Sequence, residues 1–168
     1  MKKTAVVSEC GTYRYRLGRR WDDGPAMLFV MLNPSTADAE QDDPTIRKCI
    51  GFATRKGFGA VEVVNLFGYR ATNPADLKAA GYDSGPENQR AITDAVRESI
   101  DEGGAIVLAW GANARGLAAP VVVQGIVRGM GAKAHALRLL DDGTPAHPLM
   151  LPYSCELVEV AGAGAMVE

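Results

Sequence analysis

The sequence predicts an α/β fold: a three-layer α/β/α sandwich with a mostly parallel central sheet, preceded by an N-terminal β-hairpin. Three observations carry this. Residues 26–32, AMLFVML, form an unbroken apolar run, the pattern of a strand covered on both faces. Apolar strand-like runs then alternate with segments of helical period through residue 139, the signature of a parallel sheet crossed by helices. Finally, each run closes on small or polar residues, at Asn33, Asn65, Trp110-Gly111 and, after the fourth, His147. Open α/β sheets gather such strand ends at one edge and bind ligands there.

Residues 4–20 alternate around Gly11, with Tyr13, Tyr15 and Leu17 on one face and Arg14 and Arg16 on the other. This reads as a hairpin packed on one side and solvated on the other. An aromatic face beside arginines also suits nucleic acid, although a hairpin covering the sheet is the commoner meaning of this spacing. Trp21-Asp-Asp-Gly-Pro25 turns the chain into the central strand, and Pro34 forces it out again, because proline cannot donate to the ladder.

After a polar loop, Asp43-Pro44 supplies an N-cap and first-turn proline for a helix. Ile46, Cys49, Ile50 and Ala53 form its buried stripe, leaving Arg47, Lys48, Arg55 and Lys56 for solvent. Residues 60–66 form the second strand, and Asn73-Pro74 starts another helix. A long helix covers 86–102 and stops at Gly103-Gly104. Residues 105–109 form the third strand, 117–130 a helix, and 134–139 the fourth strand. The alanine- and glycine-rich end, 161–168, is expected to fray.

At 168 residues and 47% apolar composition, the chain suits one domain, 1–168, with its core at about 26–150. No apolar run is long enough to span a bilayer. Glu9 interrupts the short apolar stretch after Lys2-Lys3, so no secretory signal is expected. Three widely spaced cysteines, Cys10, Cys49 and Cys155, fit neither a disulfide framework nor a metal cluster. They point to a reducing cytoplasm, and no metal or cofactor is expected. The net charge of −2 supplies no global positive field for nucleic acid.

The strand-end loops define the candidate site: Asn33, Pro34, Ser35 and Thr36, then Asn65 and Arg70, then Gly111, then His147. Each residue also has a purely structural reading. Asn33-Pro34-Ser35 ends a strand and caps the next segment; Asn65 satisfies loop backbone groups; His147 sits in a surface turn. His135, in an apolar strand, fits a core histidine better than a ligand, and Trp110 fits packing. What favours a site is coincidence at one edge.

Taken together, Met31-Leu32-Asn33-Pro34-Ser35, Val63-Val64-Asn65-Leu66 with Arg70, Ala109-Trp110-Gly111-Ala112-Asn113 and His147-Pro148-Leu149 resemble the uracil-DNA glycosylase superfamily. The resemblance spans roughly residues 26–150. Met31 stands where that family's motif opens with glycine, and Leu149 where it has serine. The longer pattern, Leu32 to Asp38 with Asp43-Pro44-Thr45 and Val64-Asn65-Leu66-Phe67, also resembles an uncharacterised bacterial and phage family. The glycosylase resemblance implies a uracil-DNA glycosylase-like fold and hydrolysis of the N-glycosidic bond of a damaged or modified base, in DNA or a nucleotide. It implies Asn33 orienting water and His147 bonding the leaving base as the catalytic pair. Asn65 would read the base edge, with Pro34, Ser35, Thr36, Arg70 and Gly111 completing the base or nucleotide site. The alternative is a non-catalytic module that binds nucleic acid or nucleotide in the same pocket. A Ser35/His147 hydrolase lacks the Gly-x-Ser-x-Gly elbow such nucleophiles require.

Overall fold

The computed structural model describes residues 1–161. Its centre is a mixed sheet of seven strands: β1 (Lys2–Val7), β2 (Arg14–Arg20), β3 (Ala26–Met31), β4 (Ala60–Asn65), β5 (Ala105–Leu108), β6 (His135–Ala136) and β7 (Val158–Glu159). Their spatial order is β1-β2-β4-β3-β5-β6-β7. The pairs β4–β3, β3–β5 and β5–β6 are parallel, and the outer pairs are antiparallel. Four helices, α1 (Pro44–Arg55), α2 (Pro74–Ala79), α3 (Asn88–Glu102) and α4 (Ala119–Gly129), connect them.

The apolar run at 26–31 is the middle strand, and every residue of β3 is buried. Alternation splits it between two cores. Met27, Phe29 and Met31 meet Ile46, Cys49, Phe52 and Ala53 of α1. Leu28 and Val30 meet Ile92, Ala95 and Val96 of α3 and Val123 and Val127 of α4. Fully burying a side chain such as Phe29 or Leu28 contributes about 1.5–3 kcal/mol, so β3 anchors both layers at once. The caps form as the sequence predicts. The Asp43 side chain accepts from the Ile46 backbone N–H at 2.8 Å, and Asn73 from Ala75 at 2.9 Å.

The hairpin departs from strict alternation. Val6 pairs with Arg16 but Val7 with Arg14, so Tyr15 is an extra residue in β2. Such a bulge re-aims the side chains beyond it. Leu17 joins the α1-side core, and Arg19 on the same face bonds Asp42. Arg16, on the opposite face, bridges Glu62 of β4 and Glu98 of α3. Past the bulge Arg14 returns to the α1 side and bonds the Ala37 carbonyl at 2.7 Å. Tyr13 and Tyr15 do share a side, stacked at 5.8 Å, but Leu17 is not with them.

Two other expectations change. The fourth strand is only His135–Ala136, because β6 pairs with β5 at a single position, Val107 with His135. A further strand, β7, covers its other side, formed from the short alternating segment Val158-Glu159-Val160. The basic face of α1 is also not simply solvated. Tyr153 lies under Lys48 at 4.0 Å and Arg55 at 3.8 Å, and Lys56 donates to the Cys155 carbonyl at 2.7 Å. Among the described residues no helix is long and apolar enough to cross a membrane. The fraying expected at 161–168 lies, apart from Ala161, outside the described residues.

Candidate functional site

The parallel strands follow the spatial order β4-β3-β5-β6, so the connections reverse direction between β3 and β5. This switch point leaves a crevice beyond the carboxyl ends of those strands, where ligands of open α/β sheets bind. A cleft of about 440 Å³ opens there, within the range of small-molecule sites. Its walls come from the loop after β3, the first turn of α1, the 71–74 segment, the loop after β5 and the 147–149 turn.

Asn33 stands on the β3 side. Its Nδ2 donates to the Ala71 carbonyl at 2.8 Å, the Pro34 carbonyl at 3.1 Å and the Tyr69 carbonyl at 3.5 Å. Those bonds set the orientation of the amide of this lining residue. Ser35 and Thr36 line the same wall, with the Ser35 hydroxyl 3.3 Å from that of Thr72. Opposite them, Gly111 has φ +80 and ψ −178 and donates its N–H to the Pro145 carbonyl at 3.0 Å. A Cβ built on Gly111 would lie 3.1 Å from the Cβ of His147, so glycine lets the 145–147 segment pack closely here.

His147 sits at the mouth, open to solvent by surface area but with enough protein around the ring to matter. Burial lowers its pKa below the usual 6.5, while Asp43 pulls it back upward. Its Nδ1 accepts the Leu149 backbone N–H at 3.2 Å. The neutral ring must then carry its proton on Nε2, as a donor.

Arg14 and Asp43 are lining residues that the motif reading passed over. Arg14 is only 2% exposed. Of its guanidinium nitrogens, Nη1 bonds Ala37, while Nε is buried without a partner. No carboxylate comes within ion-pair distance of it among the described residues. Burial lowers its pKa to about 10, with Arg70 and Arg19 pushing the same way and Asp43 and Asp38 opposing. Asp43 caps α1 through one carboxylate oxygen and lines the cleft beside Pro44 and Thr45. The sequence signal for Asp43 was its cap role, which hid a second one. Arg14 gave no signal, because only the bulge at Tyr15 turns it inward.

Asn33, Ser35, Thr36, Gly111 and His147 thus share the cleft, whereas Pro34, Asn65 and Arg70 do not line it. Pro34 is buried, and its carbonyl accepts from Ala71 N–H and Asn33. Asn65 follows Val61 and Val63 on the strand face that packs toward α1, paired with Met31 in register. It is therefore buried, 1% exposed, with neither amide atom hydrogen-bonded among the described residues. Arg70 borders a neighbouring hollow with Tyr69 and Asp76, because its own N–H pairs outward with Thr12 while Ala71 pairs inward with Pro34. Its charge lowers the Arg14 pKa. Trp110 is 3% exposed and packs among the α3- and α4-side residues while touching the cleft.

Residues 14–149 match the model of a family described as a protein of unknown function, DUF1643. No curated protein and no solved structure matches the chain. The match corrects the resemblance to uracil-DNA glycosylases, for which the comparisons give no support. The physical reason lies in how little those motifs specify: a strand ending in asparagine or glycine at a switch point is general to open α/β sheets. As the match covers well over half its length, the chain belongs to the DUF1643 family.

Proposed function

We propose that this DUF1643 family member binds a nucleobase-bearing ligand in the cleft and hydrolyses its N-glycosidic bond. The observation that carries the reading is that Asn33 and His147 line one cleft, each with one side-chain nitrogen held by backbone. Asn33 Nδ2 donates to backbone carbonyls and His147 Nδ1 accepts from Leu149 N–H, which makes Oδ1 an acceptor and Nε2–H a donor for a ligand. Asp43 adds a carboxylate to the same walls.

In this chemistry Asn33 Oδ1 and the free oxygen of Asp43 hold a water facing the sugar carbon. The water oxygen bonds to that carbon as the carbon–nitrogen bond breaks, and the bonding pair leaves with the base. The water proton passes to Asp43 and is then released to the departing base. His147 Nε2–H bonds the charge growing on a base oxygen, and a well-placed donor of this kind contributes about 2.7–4 kcal/mol. Asn33 orients and does not take a proton, since an amide is no base at neutral pH.

The experiment is release of free base from nucleotides and oligonucleotides carrying uracil, damaged pyrimidines and modified thymines. Asp43→Asn keeps the helix cap, as asparagine caps equally well, but removes the charge. It should slow single turnover by roughly a hundredfold or more. Absence of base release by wild type across the panel rejects hydrolysis. One observation favours a second reading, binding without cleavage: the Asn33 amide is fully explained by its anchoring of residues 69–71. Tight binding of a panel member without turnover would establish that reading.

A further inference from the structure

We infer that Arg14 seats the terminal phosphate of a small ligand, so that the occupant of the cleft is a free nucleotide and not a base within a DNA strand. The inference rests on the cleft being the ligand site, and it stands independently of whether a glycosidic bond is cut.

Arg14 is a lining residue with 2% of its surface exposed, and one of its buried donors, Nε, has no partner. A buried guanidinium normally comes with a carboxylate, because leaving such a charge uncompensated is strongly destabilising. The other buried arginine on this face shows the ordinary solution. Arg19 bonds Asp42 at 2.7 Å and donates to the Gly18, Gln41 and Asp38 carbonyls. Among the described residues Arg14 has a single carbonyl, from Ala37. Asp43 and Asp38 influence it through space, yet neither forms an ion pair with it among the described residues; each is bonded through one oxygen to backbone N–H, Asp43 to Ile46 and Asp38 to Glu40 and Gln41. The missing partner is an oxyanion, and guanidinium is well shaped for phosphate. Thr45, in the first turn of α1, adds a hydroxyl and a backbone N–H from the same wall, at the helix end that favours anions.

Depth and charge select the source of that phosphate. A phosphodiester carries chain on both sides, whereas a monoester ends at the phosphate and suits a guanidinium only 2% exposed. The loop flanking the cleft carries Asp38, Glu40, Asp42 and Asp43, which oppose a polyanionic strand.

The test is calorimetric titration of the full chain with nucleosides, their 5′-monophosphates, inorganic phosphate and a single-stranded oligonucleotide of mixed sequence. At least one monophosphate should bind roughly thirtyfold or more tighter than its nucleoside, and inorganic phosphate should compete with it. Arg14→Gln should collapse that preference, with Arg14→Lys retaining part of it. Should the glutamine variant fail to fold, the labelled Nε–H resonance of Arg14 in the wild type supplies the readout, and it should shift on saturation with inorganic phosphate. The inference is overturned if no monophosphate outbinds its nucleoside, if a folded Arg14→Gln keeps the preference, or if the Nε–H resonance stays fixed. Base release from oligonucleotides without any monophosphate preference overturns this inference and leaves the hydrolytic reading standing. A monophosphate preference with no base release does the reverse.

Discussion

Replacing Gly111 with alanine tests whether the wall carrying His147 is held by backbone geometry. At φ +80 and ψ −178, Gly111 occupies a region open essentially to glycine alone, where another residue costs about 1–3 kcal/mol. The added methyl also meets His147 Cβ at 3.1 Å, so the 145–147 segment must retreat by a few tenths of an ångström. In a domain of this size each kcal/mol lowers Tm by about 2–4 °C, so the expected drop is about 2–12 °C. Scanning calorimetry and urea denaturation measure it. Gly143→Ala serves as the control: its φ is +85, but nothing lies within 4 Å of the new Cβ. Both variants should lose stability, and only Gly111→Ala should move the His147 ring resonances and their titration. A Gly111→Ala protein with wild-type Tm and an unmoved His147 would refute the account of this wall.

The Asp42–Arg19 contact predicts an acid limb in stability. Burial raises the Asp42 pKa, but the Arg19 hydrogen bond and charge, aided by Lys3, outweigh it and hold the carboxyl below its usual 3.8. The associated stability is complete above the unfolded value and is lost as pH falls through the folded one. Asp42→Asn should flatten that limb and cost about 1–3 kcal/mol at neutral pH, as followed by urea titrations across pH; an unchanged acid limb would contradict it. Two helical glycines should respond with opposite signs in the same assay. Gly125→Ala, with open space around it, should stabilise α4 by about 0.5–1 kcal/mol. Gly51→Ala should destabilise, because its Cβ would collide with the Tyr153 ring and hydroxyl; a stabilised Gly51→Ala would mean Tyr153 does not dock on α1. Exposed Cys10, whose pKa is drawn down to about 7 by its hydrogen bonds with Ser8 and then Thr12, should alkylate at neutral pH well before buried Cys49, whose thiol burial pushes up. Mass spectrometry of the native protein after brief iodoacetamide treatment reads this directly, and equal labelling of both would reject it.

What the sequence alone determined is what short-range physics controls. The apolar run at 26–31 could only be satisfied by cover on both faces, and it became the middle strand. Asp43-Pro44 and Asn73-Pro74 carry their own helix starts, since cap, proline and first turn are neighbours in the chain. The convergence of Asn33 and Gly111 follows from parallel strands ending at one edge, while His147 is brought there by the packing of the 145–147 segment on Gly111. Tertiary structure decided what depends on partners distant in sequence. Nothing in residues 4–20 announces the bulge at Tyr15, which arises from the register of β2 against β1 and turns Arg14 into the cleft. Nor does Val63-Val64-Asn65 reveal that Asn65 is buried, because alternation fixes relative faces while only the packing of α1 says which face is inside. The strand at 158–159 exists because β6 leaves an edge to be paired. The tautomer of His147 depends likewise on a turn that brings the Leu149 N–H to Nδ1. Local pattern supplied the elements, and long-range pairing chose which polar groups meet.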